Sequence, residues 1–156
     1  SFSLEPNPEL IKARTFLLEL RQLLPELFAS TKTVAEIWKE IDLLIKDRGY
    51  QNCHSKYIMG VLGHRVYHMS NDWPQKYMGM YSMKAYWALT TRGFFPELLS
   101  PYHKGEKTGL WAIEPHLGYR DGKFGAKFEE IMVVEEGKAY WLSEDVPHLN
   151  LPSGLY

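Results

Sequence analysis

Three glutamates stand where strand-like segments should be apolar, and a carboxylate in that setting invites chemistry. Glu114 ends the hydrophobic run Leu110-Trp111-Ala112-Ile113, directly before Pro115. Glu129 and Glu130 interrupt the strand-like stretch Ala126 to Val134. Alternation there sets Glu129 on the face of Ile131 and Val133, and Glu130 on the face of Phe128, Met132 and Val134. If both faces of that strand are covered, at least one carboxylate is buried. An isolated buried carboxylate is costly, so it must be neutralised, paired or bound to a metal. The plainer alternative puts these glutamates at exposed strand ends, or against Lys127 or Arg120. A lone histidine is likewise ordinarily a packed or surface residue, and His54, His103, His116 and His148 are read as surface or loop positions.

The elements that would carry these groups begin with helices. Asn7-Pro8 is a helix start, a capping side chain followed by proline at the first helical position. Leu10, Phe16, Leu17, Leu20, Leu24 and Phe28 then recur at helical spacing, and Pro25 is expected to kink or end that helix. A second helix opens at Thr33 with a capping box to Glu36, carries the stripe Val34, Ile37, Trp38, Ile41, Leu44 and Ile45, and closes at Gly49. Tyr57 to Met69, with Gly60 and Gly63 interposed, reads as bent strands. Met78 to Thr91 reads as a loosely periodic helix, and Arg92 to Thr108 as a loop. Leu110 to Glu114 and Ala126 to Val134 read as strands, the second joined through Glu135-Glu136-Gly137 to Lys138-Ala139-Tyr140-Trp141-Leu142 as a hairpin. The order is helix, helix, then mostly strands, which defines an α+β class in one domain spanning 1–156.

Composition narrows the function classes. With 45% hydrophobic and 24% charged residues, the 156-residue chain has the makings of a packed core. Eighteen basic against 19 acidic residues, with no basic stripe, argue against nucleic acid as a partner. No apolar run approaches the roughly 20 residues of a membrane helix, so no membrane partner is expected. The single cysteine, Cys53, cannot form an internal disulfide, and no signal peptide is visible at Ser1. A cytoplasmic location is the resulting expectation.

The stretch Gly109 to Gly137 resembles the end of the pita-bread metallopeptidases, the methionine aminopeptidases, prolidases and aminopeptidases P. Ile113-Glu114-Pro115 matches a strand ending in Ile-Glu-Pro. Phe124-Gly125-Ala126-Lys127-Phe128-Glu129-Glu130 matches Phe-Gly-x-Arg-Ile-Glu-Asp, followed as in the family by an apolar strand and an acidic-glycine turn. The resemblance is strong over the last third and weak in the middle. It implies a curved antiparallel sheet with flanking helices, the carboxy-terminal part of a larger catalytic domain. It also implies that Glu114 and Glu129 are metal ligands. A family histidine ligand in a Gly-His context has one counterpart, Gly63-His64, and His68 would be the histidine that faces substrate.

On this reading the cofactors are two divalent ions, Mn²⁺, Co²⁺, Zn²⁺ or Fe²⁺, and the substrate is a peptide amino terminus, most often with proline second. Oxygen-rich donors with one imidazole suit such ions, and Glu114 beside a shared water could also handle its proton. The sequence departs from the pattern in three ways. The two aspartate ligands of the family have no counterpart upstream of Asn7, Lys127 replaces an arginine, and the spacings around Glu114 differ. This chain therefore supplies three of five ligands, and an upstream half of the domain is an expected partner. A homodimer is compatible with the sequence. The alternative is a non-catalytic pita-bread module that binds a peptide or protein.

Overall fold

The computed structural model describes residues 7–53, 60–66, 93, 95–119 and 124–144. Helix α1 spans Pro8–Ala29 and α2 spans Val34–Asp47. The strands are β1 Gln51–Asn52, β2 Gly63–Val66, β3 Gly109–Ile113, β4 His116–Gly118, β5 Gly125–Lys127, β6 Glu130–Glu135 and β7 Lys138–Trp141. They form two antiparallel sheets, one in the order β1-β4-β5 and one in the order β2-β3-β6-β7, so the fold is α+β. The expected helix over 78–91 lies outside the described residues, as does all of the 57–69 stretch except Gly60 to β2.

Local chemistry sets the helix ends. Asn7 accepts a hydrogen bond from the Glu9 amide at 3.0 Å. Thr33 and Glu36 satisfy each other's backbone donors. At the end of α2 the Gly49 amide donates to Lys46 and the Tyr50 amide to Ile45, with Gly49 at φ 79°. That is a left-handed closure only glycine enters without strain.

Of the two outcomes expected at Pro25, a kink or an end, the end does not occur: helix α1 runs on to Ala29. Phe16, Leu17, Leu20, Leu24 and Phe28 are buried, each worth about 1.5–3 kcal/mol. Together they outweigh the roughly 3 kcal/mol that an internal proline costs. Proline also deprives the carbonyl four residues earlier, that of Arg21, of its helical donor. The Trp141 indole of β7 supplies one instead, at 2.9 Å.

Helix α1 packs on β5, β6 and β7, and α2 on β1. Trp111, Ile113, Phe128, Met132 and Val134 face this helical layer in one core. Glu130 shares their face and is 8% exposed. Arg21 of α1 meets it with a bidentate pair, Nε to Oε1 at 2.8 Å and Nη2 to Oε2 at 2.8 Å. The buried carboxylate anticipated from alternation is thus Glu130, and it is paired with a cation.

The expected single strand over 126–134 is two strands in different sheets, broken at Phe128-Glu129. Opposite, Glu114-Pro115 breaks β3 from β4, because proline cannot donate to a ladder. The register does not slip across this bend. Ile113 pairs with Glu130 on one side and His116 with Lys127 on the other. One step from Ile113 and Glu130 therefore sets Glu114 opposite Glu129. Between 92 and 108, expected as loop, the described residues hold a 3-10 turn at Phe95–Glu97 and a Leu98 bridge to His64.

Candidate functional site

In β3, Trp111 and Ile113 point into the core, so alternation turns Leu110, Ala112 and Glu114 to the opposite face. The register pairs His64 with Ala112 and Lys127 with His116. Cross-strand partners share a face, so His64, Glu114, His116, Lys127 and Glu129 gather on the sheet face away from the helices, around the bend. Gly63 permits this approach of β2 to β3. A Cβ there would stand 2.4 Å from the Ala112 carbonyl oxygen.

Glu114 is 7% exposed although its side chain ends in a carboxylate. Its Oε1 lies 3.8 Å from His64 Nε2 and its Oε2 lies 3.8 Å from His116 Nε2. Both separations exceed a hydrogen bond. His64 Nδ1 lies 2.9 Å from the Arg65 carbonyl oxygen, a contact in which only the ring can donate. That bond puts a proton on Nδ1 and leaves Nε2 as the ring nitrogen facing Glu114, the one a metal could take. Two atoms each about 2.1 Å from one ion can lie up to about 4.2 Å apart, so Glu114 and His64 fit as ligands of one cation.

Glu129 lies on the same face, but its carboxylate is drawn to Lys127, 3.6 Å away, with both side chains 54% exposed. A pair so exposed contributes at most about 1 kcal/mol. Among the described residues, no group of three or more His, Cys, Asp or Glu side chains is arranged to hold a metal ion. The donor types fit a divalent cation, while Glu129 pairs with Lys127. His68 and Arg120 lie outside the described residues.

Of the histidines read from sequence as surface or loop residues, His116 lies in a strand, and His103 lies in a loop but is buried. His116 belongs to β4 and meets Glu114; its spacing of two from Glu114, which puts both on one face of an unbroken strand, was the available signal. His103 is 7% exposed, with its ring 5.5 Å from that of Trp111 and Nδ1 3.0 Å from the Leu98 carbonyl oxygen. Burial, aided by the nearby Arg65 charge, lowers the His103 pKa below its ordinary 6.5. The unfolded chain therefore takes up this proton first. Stability should be complete above about pH 6.5 and fall as pH drops from there toward the folded-state pKa. Urea midpoints across pH 5 to 8 check this, and His103→Gln should weaken the dependence.

The 3-10 turn and the segment after it cover the outer edge of β2: Leu62 donates to Leu99, and Leu99 to Gly63. Arg65 holds the far end of that segment through the carbonyls of Glu106 and Thr108, while its guanidinium lies 4.9 Å over the Trp111 ring. His64 is thereby flanked by fixed backbone on both sides. Among the described residues, no helix is long and apolar enough to cross a membrane. Comparison of the chain with family models, curated proteins and solved structures finds no match.

Proposed function

We propose that this chain carries part of a divalent-metal hydrolytic site of the pita-bread metallopeptidase type, acting on a peptide amino terminus. The observation that carries it is the buried Glu114 carboxylate beside a His64 imidazole whose Nδ1 is occupied by the Arg65 carbonyl. His64 and Glu114 would hold the cation, with Glu129 joining them once freed from Lys127. When bound, such an ion polarises a scissile carbonyl and acidifies water. Glu114 would accept a proton at a carboxylate oxygen. The bend that opposes Glu114 and Glu129 supports the pita-bread reading, as does the order of the two signature motifs. The two aspartates that the resemblance asks for would come from a segment outside these 156 residues.

Titration with Co²⁺ or Mn²⁺, followed by calorimetry, tests the reading. The wild-type chain should bind weakly, Glu114→Gln should abolish that binding, and the chain alone should release no amino-terminal residue from a Xaa-Pro peptide at a useful rate. Absence of binding by the wild type, or equal binding by Glu114→Gln, would overturn it. Should the chain bind metal yet cut no such peptide when joined to the aspartate-bearing segment, the non-catalytic binding module becomes the better description.

A further inference from the structure

We propose that the outer edge of β7 is a docking site for an extended peptide segment, which joins the four-stranded sheet as an added antiparallel strand. The two edges of that sheet differ. At β2 the edge is closed, since the Leu99 amide donates to the Gly63 carbonyl and the Leu62 amide to the Leu99 carbonyl. At β7 the sheet ends, and among the described residues no strand pairs with its outer side. The Leu142 amide donates to the Ile131 carbonyl at 2.8 Å, so alternation turns the N–H and C=O of both Ala139 and Trp141 outward. Edge strands are commonly blunted by proline, a bulge or a charge. Strand β7 has no proline, its register with β6 is unbroken, and its one charge is Lys138 at the turn end.

The side chains along this edge define the segment that fits. Lys138, Tyr140 and Leu142 share the face away from the helices, where Val133 lies opposite Tyr140 and Leu110 opposite Val133. Tyr140 and Leu142 are 47% and 60% exposed. Residues of an added strand opposite these three fall in the non-hydrogen-bonded pairs, about 4.5 Å apart between Cα atoms, where side chains meet most closely. Read antiparallel, the segment is apolar opposite Leu142, apolar opposite Tyr140 and acidic opposite Lys138. A second copy of β7 fits worse. Helix α1 packs over β7, with the Trp141 indole bonded to the Arg21 carbonyl. Two paired β7 strands would lie about 4.8 Å apart, whereas packed helices need about 8–10 Å between their axes. A lone strand brings no helix with it.

The test uses the full 156-residue chain and an acetylated, amidated peptide containing Val-Thr-Val-Thr-Glu, with calorimetry and residue-resolved amide exchange as readouts. The peptide should bind and slow exchange at Ala139 and Trp141, while the Leu142 amide, already bonded to Ile131, is protected with or without it. Ala139→Pro removes a donor that faces outward, so the fold should persist and the affinity should fall about tenfold. Lys138→Glu should weaken this peptide and favour one with lysine in place of the glutamate, a reversal that holds the proposal to account if the proline variant is unfolded. Absence of binding, or equal binding by wild type and both variants, would overturn it. Protection of Ala139 and Trp141 without peptide would overturn it too: at every protein concentration it would place the chain's own residues on the edge, and only at high concentration a second copy.

Discussion

Arg21→Met is expected to destabilise the fold by about 3–5 kcal/mol, because it leaves the Glu130 carboxylate buried without its cation. The Arg21 and Glu130 side chains are 17% and 6% exposed, and their bidentate contact joins α1 to β6 across 109 positions of sequence. Removing one partner strands the other in a poorly polarisable setting, where water cannot take over. Arg21 also donates to the Ser143 carbonyl at 3.2 Å and lies 5.2 Å over the Trp141 ring, so further contacts go with it. Replacing both charges, Arg21→Met with Glu130→Leu, should recover much of the loss, since an apolar pair needs no desolvation. Urea unfolding of the wild type, the single variant and the double variant measures this. A single variant within about 0.5 kcal/mol of wild type, the range of ordinary surface substitutions, would show that the pair stabilises little.

The second large effect is expected at Gly63. An alanine there would bring its Cβ to 2.4 Å from the Ala112 carbonyl oxygen and 3.2 Å from the Ile113 Cα, both backbone atoms that cannot swing aside. Strand β2 must shift away from β3, at a cost of about 1–3 kcal/mol. The shift also carries His64 away from Glu114, so Gly63→Ala should lose Co²⁺ affinity even in the fraction that stays folded. Calorimetric titration at a temperature where circular dichroism shows an intact fold separates the two effects. Unchanged stability together with unchanged metal binding would mean that the strand accommodates the methyl without moving.

Features set by neighbours in sequence were legible beforehand. The Asn7 cap, the Thr33–Glu36 box, the Gly49 closure and the Glu135-Glu136-Gly137 turn all follow from residues a few positions apart, and each forms as the sequence indicates. Alternation also set Glu130 on the face of Met132 and Val134. Long-range chemistry was hidden. Nothing near Pro25 announces that an indole 116 to 120 positions away will satisfy the carbonyl it deprives. Strand β4 is three residues directly after a proline, too short for a period to register. Of the candidate site, the sequence marked Glu114 as an acid in an apolar run, and family resemblance singled out His64. His116 carries no such mark, because Pro115 between it and Glu114 interrupts the alternation that would tie the two to one face.

The indole hydrogen bond between Trp141 and Arg21 has a consequence in time. It spans 120 positions, so the middle of α1 stays one donor short until a strand synthesised 120 residues later arrives. Helix α1 is completed by the last of the described strands. Contacts of such separation close slowly, because the loop entropy must be met before the contact forms. The nascent chain should therefore hold α1 as a frayed, reversible helix, hinged near Pro25. It should become resistant to proteolysis only after β7 has docked, in one late cooperative step.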